Sequence, residues 1–121
     1  MKLELRENMY IRTKDGIIAK VDYIDDDTIF FNKELYKTYS DSIDFLEKDN
    51  LKRIVKASYN IIDMLEIGDY VNGRKVVDIF YDANDNVMNI CVLGSIVYDN
   101  NEIKSVITHE QMEQMAYKVE E

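Results

Sequence analysis

A chain of 121 residues with 46% hydrophobic content can bury one core, and its length suits a single domain spanning 1–121. Twenty-four acidic residues oppose 15 basic ones for a formal net charge of −9, and the excess is uneven: residues 1–60 hold 11 basic and 12 acidic side chains, residues 61–121 hold 4 and 12. Such a chain repels polyanions, so direct nucleic-acid binding is not expected; with no basic leader and no apolar run of bilayer length, neither is a membrane, and the chain reads as soluble and cytoplasmic.

The single cysteine, Cys91, cannot form an internal disulfide, and its place between Ile90 and Val92 reads as a small buried hydrophobe on a strand. Proline is absent, so turns fall to Gly, Asn and Asp.

In chain order, Met1 to Glu7 alternates Leu3 and Leu5 with charged residues and predicts a short edge strand. Asp15-Gly16 then predicts a two-residue hairpin turn between Met9–Lys14 and Ile17–Ile24. The triplet Asp25-Asp26-Asp27 reads as a polar turn rather than a metal site, and Thr28 to Phe31 as a third strand of a meander. Lys33 to Tyr59 predicts irregular chain with one helical turn around Ser42 to Glu47, with Tyr36, Tyr39 and Tyr59 capping the core. Lys48, Lys52, Arg53 and Lys56 form the one basic cluster and read as a solvated face.

The densest apolar stretch is Asn60 to Tyr81. Within it, Asn72-Gly73 is a type I′ hairpin signal, because both residues tolerate the positive φ that this turn demands; Val71 and Arg74 should flank it. Arg74 to Tyr81 carries apolar residues on both faces and predicts a strand through the middle of the fold. Asp82 to Asn86 opens like a calcium loop but has Val87 where Gly is required and Leu93 where a bidentate carboxylate is required, so it reads as a hairpin loop. Val87–Leu93, Ile96–Tyr98 and Glu102–Ile107 complete a second meander. Thr108-His-Glu-Gln111 is a capping box opening a short helix to about Met115, with His109 exposed in its first turn, Met112 and Met115 facing the core, and Ala116–Val119 closing the sheet.

Tyr10–Ile29 and Tyr70–Ile90 share a plan: a Tyr, a glycine hairpin, a Lys-Val or similar step, and an acidic turn into a further strand. The expected fold is mainly β (α+β): antiparallel meanders forming a curved sheet, or two small SH3-like half-barrels (about 1–32 and 60–121) joined by an irregular segment, with a short C-terminal helix.

Chemistry is hard to place on this sequence. It has no phosphate-binding glycine loop, no paired metal-ligand spacing and no nucleophile setting around its serines or Cys91, so neither an enzyme nor a cofactor or metal is expected. The segments MYIRTKDG (Met9–Gly16), NIIDMLEIGDYVNGRKV (Asn60–Val76) and ITHEQMEQMAYKVEE (Ile107–Glu121) resemble small uncharacterised proteins encoded by phages and prophages of low-GC Gram-positive bacteria. The resemblance leaves Lys33–Lys56 unaccounted for and carries no catalytic residues. It implies a bacterial host cell as the setting and, because small acidic phage proteins include anti-CRISPR and other anti-defence proteins, an inhibitory role.

Two readings follow. In one, an acidic face of Asp78, Asp82, Asp85, Asp99 and Glu102 mimics a nucleic-acid backbone and occupies the basic groove of a host nuclease or defence complex. In the other, the chain is a phage assembly or regulatory component that forms homo-oligomers through sheet edges and tyrosines, with its charge serving solubility.

Overall fold

The computed structural model describes residues 4–32 and 45–113. They form two antiparallel five-stranded sheets. In the first, β1 (Tyr10–Thr13), β2 (Ile18–Asp25), β3 (Thr28–Phe31) and β4 (Phe45–Glu47) run as a meander; a 3-10 turn, Lys48–Arg53, leads into β5 (Ile54–Ser58), which returns to pair with β1. In the second, β6 (Tyr70–Val71), β7 (Arg74–Tyr81), β8 (Val87–Val92) and β9 (Ser95–Val97) form the meander, the 3-10 turn is Asn100–Glu102, and β10 (Val106–Ile107) returns to β6. The strand orders, β4-β3-β2-β1-β5 and β10-β6-β7-β8-β9, therefore describe one plan twice. Among the described residues neither sheet closes into a barrel, and the expected mainly-β class of antiparallel meanders holds.

Each sheet covers its own apolar cluster. Ile11, Val21, Ile29, Phe31, Leu46 and Ile54 fill the first; Ile61, Leu65, Val71, Val76, Ile90, Val92, Val97 and Val106 fill the second. Burying a Val, Ile or Leu side chain is worth about 1.5–3 kcal/mol, so both clusters contribute materially. Ile61, Ile62 and Met64 of a 3-10 turn in the connection, Ile61–Met64, are buried, and Tyr10 and Ile18 of the first sheet pack against the second cluster. The sheets thus share part of one interior.

Several local expectations hold for the reasons given. Asn72 and Gly73 have φ of 53° and 81°, and Val71 pairs with Arg74 across them. Thr108 and Gln111 form the capping box, with Thr108 N donating to Gln111 Oε1 (3.0 Å) and Gln111 N to Thr108 Oγ1 (3.4 Å). A helical segment, 109–113, follows.

Others are corrected. Of the edge strand expected at Met1–Glu7, residues 1–3 lie outside the described residues and 4–7 form no strand, because a turn closed by Met9 N to Arg6 O (3.2 Å), with Asn8 at φ 70°, takes the backbone out of the ladder. The first hairpin has a three-residue loop, not two: Thr13 N donates to Ile17 O, and of the loop residues 14–16 only Gly16 has positive φ (85°), the arrangement of a type I turn closed by a left-handed glycine. Of the helical turn expected at Ser42–Glu47, residues 42–44 lie outside the described residues, and Phe45–Glu47 is a strand because Leu46 is buried opposite Ile29 while its neighbours face out; a 3-10 turn follows at Lys48–Arg53. Ile54–Ser58 likewise belongs to the first sheet rather than to an irregular linker. Tyr59 is exposed and caps no core.

In the second half, β7 is central in its sheet, but a bulge between Val76 and Asp78 breaks its alternation and Val77, Phe80 and Tyr81 stay exposed. Glu102–Ile107 is a strand only at Val106–Ile107, because Asp99 caps Asn100–Glu102 into a 3-10 turn. Cys91 is half-buried. The expected roles of Tyr36, Tyr39, Met115 and Ala116–Val119 lie outside the described residues.

Candidate partner-binding site

The β7–β8 loop and the 3-10 turn Asn100–Glu102 bring the acidic candidates to the surface, and local backbone chemistry decides what each is free to do. Asp82 Oδ1 accepts from Asn84 N (2.8 Å) and Asn86 N (3.0 Å), which folds the loop and leaves Asp85 at its tip with φ 62°. Asp99 caps the 3-10 turn through Asn101 N (2.9 Å), and Glu102 Oε1 reaches back to Tyr98 N (2.9 Å). Asp78 sits on β7 across from Cys91 and accepts from Ile79 N (2.9 Å). Asp82, Asp99 and Glu102 thus have structural duties, and Asp85 has none of that kind.

Two adjoining clefts gather part of this set with a residue the sequence gave no reason to choose. One, about 420 Å³, lies between Lys56, Ser58, Asp63, Met64, Tyr81 and Asp85; the other, about 250 Å³, lies between Asn60, Ile62, Tyr98, Asp99 and Asn100. Asp63, Asn86 and Val87 line both. Their rims are held firmly: Ser58 Oγ donates to Asp63, Ile62 N donates to Asn100 Oδ1 (3.1 Å), and Asn100 Nδ2 donates to Asn60 Oδ1 (3.0 Å). Asp63 and Asp85 thus line the first cleft beside Tyr81, and Asp63 and Asp99 the second beside Tyr98. Asp78 and Glu102 line neither cleft.

Sequence reading missed the ionic centre of the molecule altogether. Arg12 on β1 is fully buried. Its Nη1 donates to Asp69 Oδ2 (2.6 Å) and Met64 O (2.9 Å), and its Nη2 to Asp69 Oδ1 (3.0 Å) and Glu110 Oε1 (2.6 Å). Asp69, also fully buried, accepts in addition from Glu66 N (2.7 Å) and His109 N (2.9 Å). His109, expected to be exposed, instead lies half-buried with Nε2 3.0 Å from Glu66 Oε1, and Lys56 Nζ lies 3.4 Å from Glu66 Oε2. Of the basic cluster, Lys52 is exposed as expected, while Arg53 pairs with Asp15 (3.5 Å) and Lys56 with Glu66 (3.4 Å).

Burial alone would lower the pKa of Arg12, but its hydrogen bonds to Asp69 and the field of Asp69, then of Glu66 and Glu110, raise it above the ordinary value. Burial would raise the Glu66 carboxyl; the bond from His109 and the charges of Arg12 and Lys56 outweigh it and hold Glu66 below the usual range.

Glu66, His109 and Glu110 place ligand atoms within 4.8 Å of one another, close enough for a metal ion. Arg12 and Lys56 already supply cationic charge to these carboxylates, and a divalent ion would stand beside a buried guanidinium. The cluster is better understood as a clamp between the halves. Compared with protein-family models, curated proteins and solved structures, the chain matches none.

Proposed function

We propose that this chain is a non-enzymatic binding protein that inhibits a host nucleic-acid-handling or defence protein, of the anti-CRISPR type, by presenting acidic groups to a basic groove. The observation that carries the reading is the pair of adjoining clefts lined by Asp63, Asp85 and Asp99, of which Asp85 alone is not committed to a hydrogen bond named above, in a half of the chain with 12 acidic and 4 basic residues. Carboxylates at a rigid rim suit lysine and arginine side chains that otherwise hold phosphates, and complementarity of this sort speeds association and weakens with salt. The flanking tyrosines add amphipathic contact surface. The resemblance to small phage proteins supplies the bacterial setting.

The test is capture of the tagged protein's partners from nuclease-treated host lysate at low and high salt, alongside the Asp63→Asn/Asp85→Asn variant. One basic nucleic-acid enzyme, lost as salt rises and lost in the variant, is the expected result. Recovery of the chain alone would move the reading to self-association, which the exposed Val77, Phe80 and Ile96 on the second sheet and Leu93 in its β8–β9 turn favour as the alternative.

A further inference from the structure

The first sheet carries a second feature, on a different surface from the clefts. On the outward face of β2, β3 and β4, pairing sets Tyr23 opposite Phe30 and Phe30 opposite Phe45. Tyr23 and Phe30 stack with ring centroids 4.5 Å apart and planes 16° from parallel, and Phe30 and Phe45 follow at 6.2 Å. One rung along, two residues or roughly 7 Å by strand rise, the same pairing sets Asp25 opposite Thr28 and Thr28 opposite Glu47. An aromatic row therefore runs beside a row with a carboxylate at each end.

The core does not explain this arrangement. Ile29 and Leu46, between the two rungs, are buried, whereas Tyr23 and Phe45 remain 48% and 53% exposed. A nucleobase would suit the rings, but its phosphates would meet Asp25, Glu47 and the turn residues Asp26 and Asp27. A purely apolar partner would bury Glu47, and Asp25 with only its bond from Asp26 N (2.8 Å), without a counter-charge, at a cost. A planar cation satisfies both rows: a guanidinium lies flat on an aromatic ring and donates in its own plane to a carboxylate beside it.

We propose that this face of the first sheet is a docking surface for an arginine-bearing segment of a protein partner, with the outer ring faces of Tyr23 and Phe45, the two ends of the aromatic row that Phe30 holds together, taking guanidinium planes and Asp25 and Glu47 their N–H groups. Lysine serves less well there, because an ammonium cannot stack and bridge at once. Binding falls as salt rises but keeps a residual component from the rings.

The proposal is tested by titrating the isotope-labelled full chain with a synthetic peptide of three Arg-Gly-Gly repeats and following amide shifts. Saturable shifts on β2, β3 and β4 are expected, weakened at least tenfold by citrulline in place of arginine and at least fivefold by Phe45→Ser, which alters an exposed side chain and leaves Leu46 in place. Tyr23→Ser serves as a second variant. Shifts confined to residues around Asp63, Asp85 and Asp99 would overturn the proposal while leaving the cleft reading standing. Equal binding of the citrulline peptide, indifference to both variants, or no shifts beside a dimer that Phe45→Ser dissolves would also overturn it, the last in favour of a second copy as occupant.

Discussion

At the scale of single residues, Arg12 is the most consequential side chain in the structure. Its guanidinium reaches Asp69 57 positions away and Glu110 98 positions away, and both Arg12 and Asp69 are without solvent contact. A buried pair contributes little relative to apolar residues of the same size, but removing one member leaves the other charged in a dry site. Arg12→Met should therefore cost about 3–5 kcal/mol in urea denaturation, and Arg12→Met/Asp69→Asn, which removes the orphaned charge but keeps an acceptor oxygen beside Glu66 N and His109 N, should recover part of that loss. If the double substitution is as unstable as the single one, the ion pair itself, and not the orphaned carboxylate, carries the stability. The Arg12 Nε, 3.6 Å from Glu66 Oε2, has no hydrogen-bond partner, so the network is tight around Asp69 and looser around Glu66.

At the scale of elements, the turn between β1 and β2 meets the start of the C-terminal helical segment. Thr108 Oγ1 donates to Gly16 O (2.7 Å), and a Cβ on Gly16 would press into Thr108 Oγ1 and lie 2.7 Å from Glu110 Cβ. Gly73, also at positive φ, has open space around it. Both glycines pay the conformational penalty on substitution, and only Gly16 adds a collision with another element. Gly16→Ala should thus destabilise by at least about 1 kcal/mol more than Gly73→Ala in parallel melts. Equal losses would mean that the helix start yields freely to the hairpin. What was legible in the sequence follows the same division. Asn72-Gly73 and Thr108 to Gln111 could be read because turn and cap chemistry is settled within four residues. Asp15-Gly16 was readable as a hairpin but not in its loop length, since Lys14 and Asp15 could adopt either backbone. Strand β4 was obscured because three residues, Phe45–Glu47, are too few to establish a period. The carboxylates of Asp82, Asp99 and Glu102 were visible as acidic residues, but their use by backbone amides was not. Nothing in local pattern links Arg12, Asp69 and Glu110, since their contact exists only once both sheets are folded.

At the scale of the whole molecule, that contact determines how the two sheets respond to acid. Glu66 is held below the usual carboxylate range by His109, Arg12 and Lys56 against the effect of burial, and Asp15 by its bond from Thr13 and, against burial, by Arg53. A depressed folded pKa means that the unfolded chain takes up the proton first as pH falls. The stability these groups contribute is fully present above their unfolded values, near 4–4.5, and is lost as pH falls through the lower folded values. Glu66 touches a side chain from β1's Arg12, β5's Lys56 and the C-terminal helical segment's His109, so its protonation loosens the first sheet and the second together. Acid titration followed by hydrogen exchange should show Ile11 and Ala19 losing protection over the same pH interval as Val71 and Ile90. Glu66→Gln should reduce the dependence on pH below about 4.5 while lowering stability at neutral pH. Two separated acid transitions, one for each sheet, would show that the repeated plan corresponds to two independent folding units and that the Arg12 cluster is only a point of contact between them.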